Sequence, residues 1–246
     1  MTSGRPDSAV KAGTRSTRAA LLFAMLFPSL ATWLYFVVFA GSPAMRVVFA
    51  VGKAAQFAFP LVWILLVERR RPRFFAGRTR GLGAGLALGA LLAGAILIAY
   101  SVAMTSGILA GAPEAIRAKV VDIGASAPLA FLALALFYSL LHSLMEEYYW
   151  RGFVFAELQV IVAPGAAVAL SSVAFMAHHV ILLWLYFRGT WWLIPILSVG
   201  VAVGGAFWAW LYRKSDSLLG PWLSHMLVDA AIMAAGWDMI RAASGP

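Results

Sequence analysis

Cysteine is absent from the 246 residues, which excludes disulfides, thiolate metal sites and a cysteine nucleophile. Charge is scarce: Asp, Glu, Lys and Arg make up 12% of the chain, against roughly 25% in a soluble domain. Acidic residues are the scarcest, 10 against 19 Lys and Arg. Also missing are an internal repeat, a low-complexity tract and any soluble module, so the chain reads as one domain. A net charge of +9 invites a nucleic-acid reading. The arginines, however, cluster in short loops flanking apolar runs, as the positive-inside rule expects, and no nucleic-acid partner is expected.

What is abundant is apolar: 63% of the residues are hydrophobic and the mean hydropathy is +0.87. Repeated apolar runs of about 20 residues predict an all-α, polytopic transmembrane bundle of 7–8 spans in a lipid bilayer. The spans are expected near 20–40, 47–67, 82–104, 128–155, 166–187, 191–211 and 218–237. An additional short helix is expected in 105–127, lying at the outer interface. Residues 1–18, with Arg5, Lys11, Arg15 and Arg18, form a basic cytoplasmic tail. The apolar run after it is too long for a cleavable signal and stays as an anchor. The loop "ERRRPRFFAGRTR" carries Arg69, Arg70, Arg71, Arg73, Arg78 and Arg80 and is placed inside. Alternation from there puts 105–127 outside, 156–165 inside, "RGT" at 188–190 outside and "YRKSDS" at 211–217 inside.

Three polar groups interrupt these apolar helices. "MEEYYWRGF" places Glu146, Glu147 and Arg151 in the fourth span, roughly 16 Å before an expected cytosolic end at Glu157. A charge at that depth is costly and needs a partner or a watery cavity. Glu147 and Arg151 are i,i+4 and can pair; His142 shares the face of Glu146. "SSVAFMAHH" sets Phe175 and His179 on one face of the fifth span, with His178 about 100° away, so only one of the two imidazoles is expected to face Glu146. "LSHMLVD" sets His225 and Asp229 i,i+4 in the last span. Measured from cytosolic helix ends, Glu146, His179 and His225 fall in one slab. Such a slab could activate water for hydrolysis, could bind zinc through Glu146, His179 and His225, or could relay protons. The H-E-x-x-H signature of soluble zinc proteases is absent.

"EEYYWR", "FMAHH" and "HMLVD" occur in the order of the E-E-x-x-x-R, F-x-x-x-H and H-x-x-x-N/D motifs, and Ser171 and Ser172 fit as well. Over residues 140–232 the chain resembles the CPBP family (CAAX protease and bacteriocin-processing, or Abi) of intramembrane glutamic-type endopeptidases. The resemblance implies a catalytic core at about 128–237 within a single domain, 19–246. It implies Glu146 as the base that activates water, His179 as its aid, and His225 and Asp229 at oxyanion-stabilising positions. Glu147 and Arg151 order the site, and His142, Phe175 and His178 are candidates for lining the substrate cavity. It implies a membrane-associated substrate peptide, possession of no required cofactor with zinc left open, and residence in a bacterial inner membrane. Asp229 stands where the prenyl-protein proteases have Asn; a carboxylate donates to an oxyanion only when protonated, so Asp229 is a candidate for orienting His225 instead.

Two rival readings are a non-proteolytic scaffold of the same fold and a proton-coupled transporter. The intact Glu and His set argues against the first, and the lack of repeated halves or broken midplane helices against the second. Lys53, inside the second span, is read as structural, pairing with an acid of another helix or snorkelling outward. Asp238 and Arg241 are expected beyond the last span, in solvent. Trp191, Trp192 and Trp237 are assigned to an interfacial belt. The glycines of 81–94 are assigned to close helix packing, and Pro28 and Pro60 to kinks.

Overall fold

A computed structural model describes residues 7–72, 74–76 and 78–243. Arg5 and Arg73 of the predicted inner segments lie outside the described residues. Among the described residues the fold consists of ten α-helices and no strand. They are α1 (Asp7–Trp33), α2 (Met45–Val62), α3 (Leu82–Thr105), α4 (Ala112–Asp122), α5 (Pro128–Leu136), α6 (Ser143–Tyr149), α7 (Ala156–Ile161), α8 (Pro164–Tyr186), α9 (Leu193–Ser215) and α10 (Leu219–Ala242). Single wide π turns extend α1 to Val38 and α2 to Val67, and join α5, α6 and α7 into one rod.

Six of these stretches are long and apolar enough to cross a membrane: Ser16–Val38, Met45–Val67, Leu82–Thr105, Pro128–Ile161, Pro164–Tyr186 and Leu193–Ser215. With leucines such as Leu91 and Leu129 at 69% and 78% exposure, the bundle carries an apolar outer face suited to lipid. It is an integral membrane protein. α10 is as long as the others, but Ser224, His225 and Asp229 dilute its hydropathy, and it packs lengthwise against α3. The short helix expected in 105–127 is α4, which covers one end of α10 through Ala112, Ala235 and Met239.

Two boundary expectations change. The fourth span does not end near Glu157 but continues to Ile161, and only Val162 and Ala163 separate it from α8, whose Pro164 is suited to the first helical turn. Glu146 therefore lies about 22 Å from the end of its rod, near the middle of Pro128–Ile161 rather than in the inner part. The last helix likewise runs on to Ala242, so Asp238 and Arg241 are helical. Both are exposed, as expected, and Asp238 also accepts the Tyr100 hydroxyl at 2.6 Å. Trp237 is partly buried and packs on Phe131, ring centroids 5.0 Å apart, whereas Trp191 is 72% exposed.

The fourth rod runs through the centre. Tyr149, Trp150, Arg151, Gly152, Phe153, Val154 and Phe155 are all buried, seven in a row, as for a helix wrapped on every side. α1, α8 and α9 surround it; α3 and α10 close the other side. A glycine contact sets that closure: a Cβ on Gly85 would stand 2.2 Å from the Gly220 carbonyl oxygen, so the two backbones touch. At the end predicted to be inside, Arg70 pairs with Glu68 and Glu157, tying the loop after α2 to α7. Phe74 accepts the Leu218 N–H at 2.9 Å and Arg78 the Ser217 hydroxyl at 2.6 Å through their backbone carbonyls, fixing that loop to the α9–α10 turn.

Candidate active site

The two glutamates of α6 diverge. Glu147, fully buried, reaches Arg151 one turn on, with Nη1 3.0 Å from Oε1. The guanidinium also donates from Nη2 to the Gly205 carbonyl at 3.2 Å, and lies 4.6 Å and 5.0 Å from the ring centroids of Phe175 and Trp208. Glu147 also receives His225 Nδ1 at 2.8 Å. A carboxylate can only accept there, so Nδ1 of His225 carries a proton and its Nε2 faces inward.

Glu146 faces the histidines. Its oxygens lie 3.9 Å from His142 Nε2, 3.5 Å from His178 Nε2 and 3.8 Å from His225 Nε2, and His225 Nε2 lies 3.6 Å from Asp229 Oδ1. These separations are longer than ordinary direct hydrogen bonds. His179 Nδ1 meets the Phe175 carbonyl at 2.9 Å. A carbonyl oxygen only accepts, so in the neutral ring Nδ1 carries the proton and Nε2 is an acceptor.

The sequence expectation that only one of His178 and His179 faces Glu146 fails. Donor atoms of Glu146, His178 and His179 all lie within 4.8 Å of one another. The 100° offset holds for the Cβ directions, but the flexible ring torsions converge the imidazoles, whose centroids are 4.1 Å apart. The triad within mutual reach thus substitutes His178 for His225 in the expected zinc set. It fits a catalytic zinc only in part. A ligating imidazole normally gives its second nitrogen to a partner; His179 meets that requirement through Phe175, while His178 Nδ1 is buried with no hydrogen-bond partner.

Phe175, expected to line a cavity, is 2% exposed and packs at the hub of Trp150, His178, His179, Trp208 and His225. It is a packing element. Two tryptophans escaped the sequence reading. Trp150 stacks parallel to His178 at 5.7 Å, and Trp208 stacks on His225 at 4.1 Å while its Nε1 donates to Ser224 at 3.0 Å. Neither carries a signal in sequence spacing, because each stacks on an imidazole of another helix.

Every member of this cluster from His142 to Asp229 lies within residues 128–231, which match the family model for Type II CAAX prenyl endopeptidase Rce1-like proteins. No curated protein and no solved structure matches the chain. The family match, over 128–231 alone, supports the CPBP family of CAAX-type membrane endopeptidases as the chain's family.

Proposed function

We propose that the protein hydrolyses a peptide bond of a membrane-associated substrate by a water held between Glu146 and the histidines of α8. The observation that carries this reading is the approach of imidazoles from three sides to one buried carboxylate. Glu146 takes a proton from the water, and the hydroxide oxygen adds to the peptide carbonyl carbon. His179, through the Nε2 lone pair left by its bond to Phe175, orients the same water. The oxyanion that forms is met by His225. That role requires the imidazolium, because the Nδ1 proton is already committed to Glu147 and only Nε2–H remains to donate. Asp229, 3.6 Å from that nitrogen, orients the ring. Collapse of the tetrahedral intermediate breaks the C–N bond, and the departing amine takes the proton from Glu146. Glu147 and Arg151 hold the geometry and touch no reacting atom.

In this reading the substrate is a lipidated or leader-bearing peptide, and the protein resides in a bacterial cytoplasmic membrane with its amino terminus inside. Zinc, were it bound, would sit on Glu146, His178 and His179 and supply a Lewis acid; no step above needs it. The test is Glu146→Gln. Membrane peptides of cells carrying this variant are compared with those of cells carrying the unaltered protein. A peptide that stops being shortened, with expression and insertion intact, is expected. Processing that survives the change removes Glu146 from its role.

A further inference from the structure

The three helices that carry the cluster are accessible on one side of it only. On the fourth rod, His142 lies one turn from Glu146 toward the Pro128 end, and its side chain is 15% exposed against 4% for Glu146. On α10, Asp229 lies one turn from His225 toward the Ala242 end, at 19% against 5%. On α8, buried Phe175 is followed by part-exposed His179 toward the Tyr186 end. These three ends lie together: Trp237 packs on Phe131 of the rod, and Phe187 shares a cluster with Met239. On the opposite side of the cluster every helix is closed. Trp150 and Arg151 on the rod, Ser171 and Ser172 on α8, and Gly220 and Pro221 on α10 are all buried.

Helix length alone favours the closed side, because His225 is only about 9 Å from Leu219 at the start of α10. That route is filled. Ser217 and Leu218 are buried in the α9–α10 turn, the loop after α2 is bonded across them, and a Cβ on Gly152 would stand 2.8 Å from the Phe74 ring. Ionisable side chains at membrane depth do not face lipid, so the exposure of His142 and Asp229 marks a path for water. Polar groups continue it. Tyr138, about 15 Å from the start of the rod, interacts electrostatically with Glu146 and Asp229 on one side and with Tyr35 and Tyr186 on the other. All three tyrosines are part-exposed, Tyr35 in the π turn that extends α1 and Tyr186 at the end of α8. Lys53 turns inward to Gln56 and is in electrostatic reach of Glu146, an acid of another helix, as the sequence reading allowed.

The open end is the one away from the arginines. The arginine-rich loop after α2, the basic residues up to Arg18, and Arg213 with Lys214 mark the closed end as cytosolic by the positive-inside rule. We propose that water and substrate enter from the non-cytosolic face of the membrane, and that the peptide cut is an exported segment of a membrane-associated protein. The route stands on packing and charge; the substrate class rests on the endopeptidase reading. A peptide confined to the cytosol meets Phe74 and the buried α9–α10 turn instead of Glu146.

The absence of cysteine lets single thiols report on access in the otherwise unaltered chain. Tyr138→Cys and Asp229→Cys probe the path, Thr79→Cys the arginine-rich loop and Gly189→Cys the opposite end. Each variant meets a membrane-impermeant maleimide in spheroplasts and, separately, in inverted membrane vesicles. The reaction needs a thiolate, which forms in water, so a thiol facing lipid stays silent. Positions 138, 229 and 189 are expected to label in spheroplasts and not in inverted vesicles, and position 79 the reverse. Two path variants are used so that one failing to insert leaves the other to decide. The proposal stands if at least one path position labels, from spheroplasts alone, while position 79 labels from inverted vesicles alone; any other pattern overturns it. Cleavage separates the two ideas. If the labelling is as expected and Glu146→Gln leaves every membrane peptide unchanged, the route stands and the endopeptidase reading falls. If Glu146→Gln stops the shortening of a peptide whose new terminus lies in the cytosol, the endopeptidase reading stands and the exported substrate falls.

Discussion

Replacing Arg151 by Met isolates the ion pair at the centre of the bundle. The side chains of Arg151 and Glu147 are 2% and 0% exposed, so neither charge has water to fall back on. The methionine keeps the stem and removes the guanidinium. Three things are lost together: the partner 3.0 Å from Glu147, the donor to Gly205, and the cation between Phe175 and Trp208. What remains is a buried carboxylate with only His225 to answer it. Breaking such a pair from one side costs about 3–5 kcal/mol. For a chain of this length each kcal/mol moves the thermal midpoint by about 2–4 °C, so a fall of about 6–20 °C is expected. The assay is thermal denaturation in detergent, run as a double-mutant cycle with Glu147→Gln. The double variant leaves no bare charge and should be more stable than the two single losses predict, by about 1–3 kcal/mol. A midpoint for Arg151→Met within about 2 °C of the unaltered protein, or strict additivity in the cycle, would refute the argument.

Other outcomes follow from the same geometry. Gly85→Val drives a side chain into the Gly220 carbonyl and should abolish stable assembly, whereas Gly83→Ala, with nothing within 4 Å, should be neutral; detergent-solubilised yield distinguishes them. His178→Ala removes an imidazole 3.5 Å from Glu146 and should lower kcat on a cleaved peptide by about 10- to 100-fold. An effect below twofold would return His178 to packing. Dialysis against a zinc chelator should leave cleavage intact. Loss that only zinc restores would instead make Glu146, His178 and His179 ligands.

The pairs legible in the sequence were those set by a local period. Glu147 with Arg151, His142 with Glu146, and His225 with Asp229 are each four residues apart, and a helix places such residues together whatever surrounds it. The apolar runs announced the spans for the same kind of reason, since lipid accepts only backbone that satisfies itself. The error about His178 came from extending that local rule to ring atoms, which also turn about the Cα–Cβ and Cβ–Cγ bonds. Trp208 and Trp150 were invisible as site residues because a stacking partner on another helix leaves no trace in spacing.

Composition and period alone thus determined an all-helical membrane bundle and the order of its polar triplets along the chain. Tertiary packing decided that Glu147 takes Arg151 and His225 while Glu146 is left to face the imidazoles of α8 and α10. It also decided that Lys53 turns inward to Gln56 on α2. The physical reason is range: hydrogen-bonded turns specify neighbours within a few residues, whereas contacts between helices depend on which backbones can touch, as Gly85 and Gly220 do.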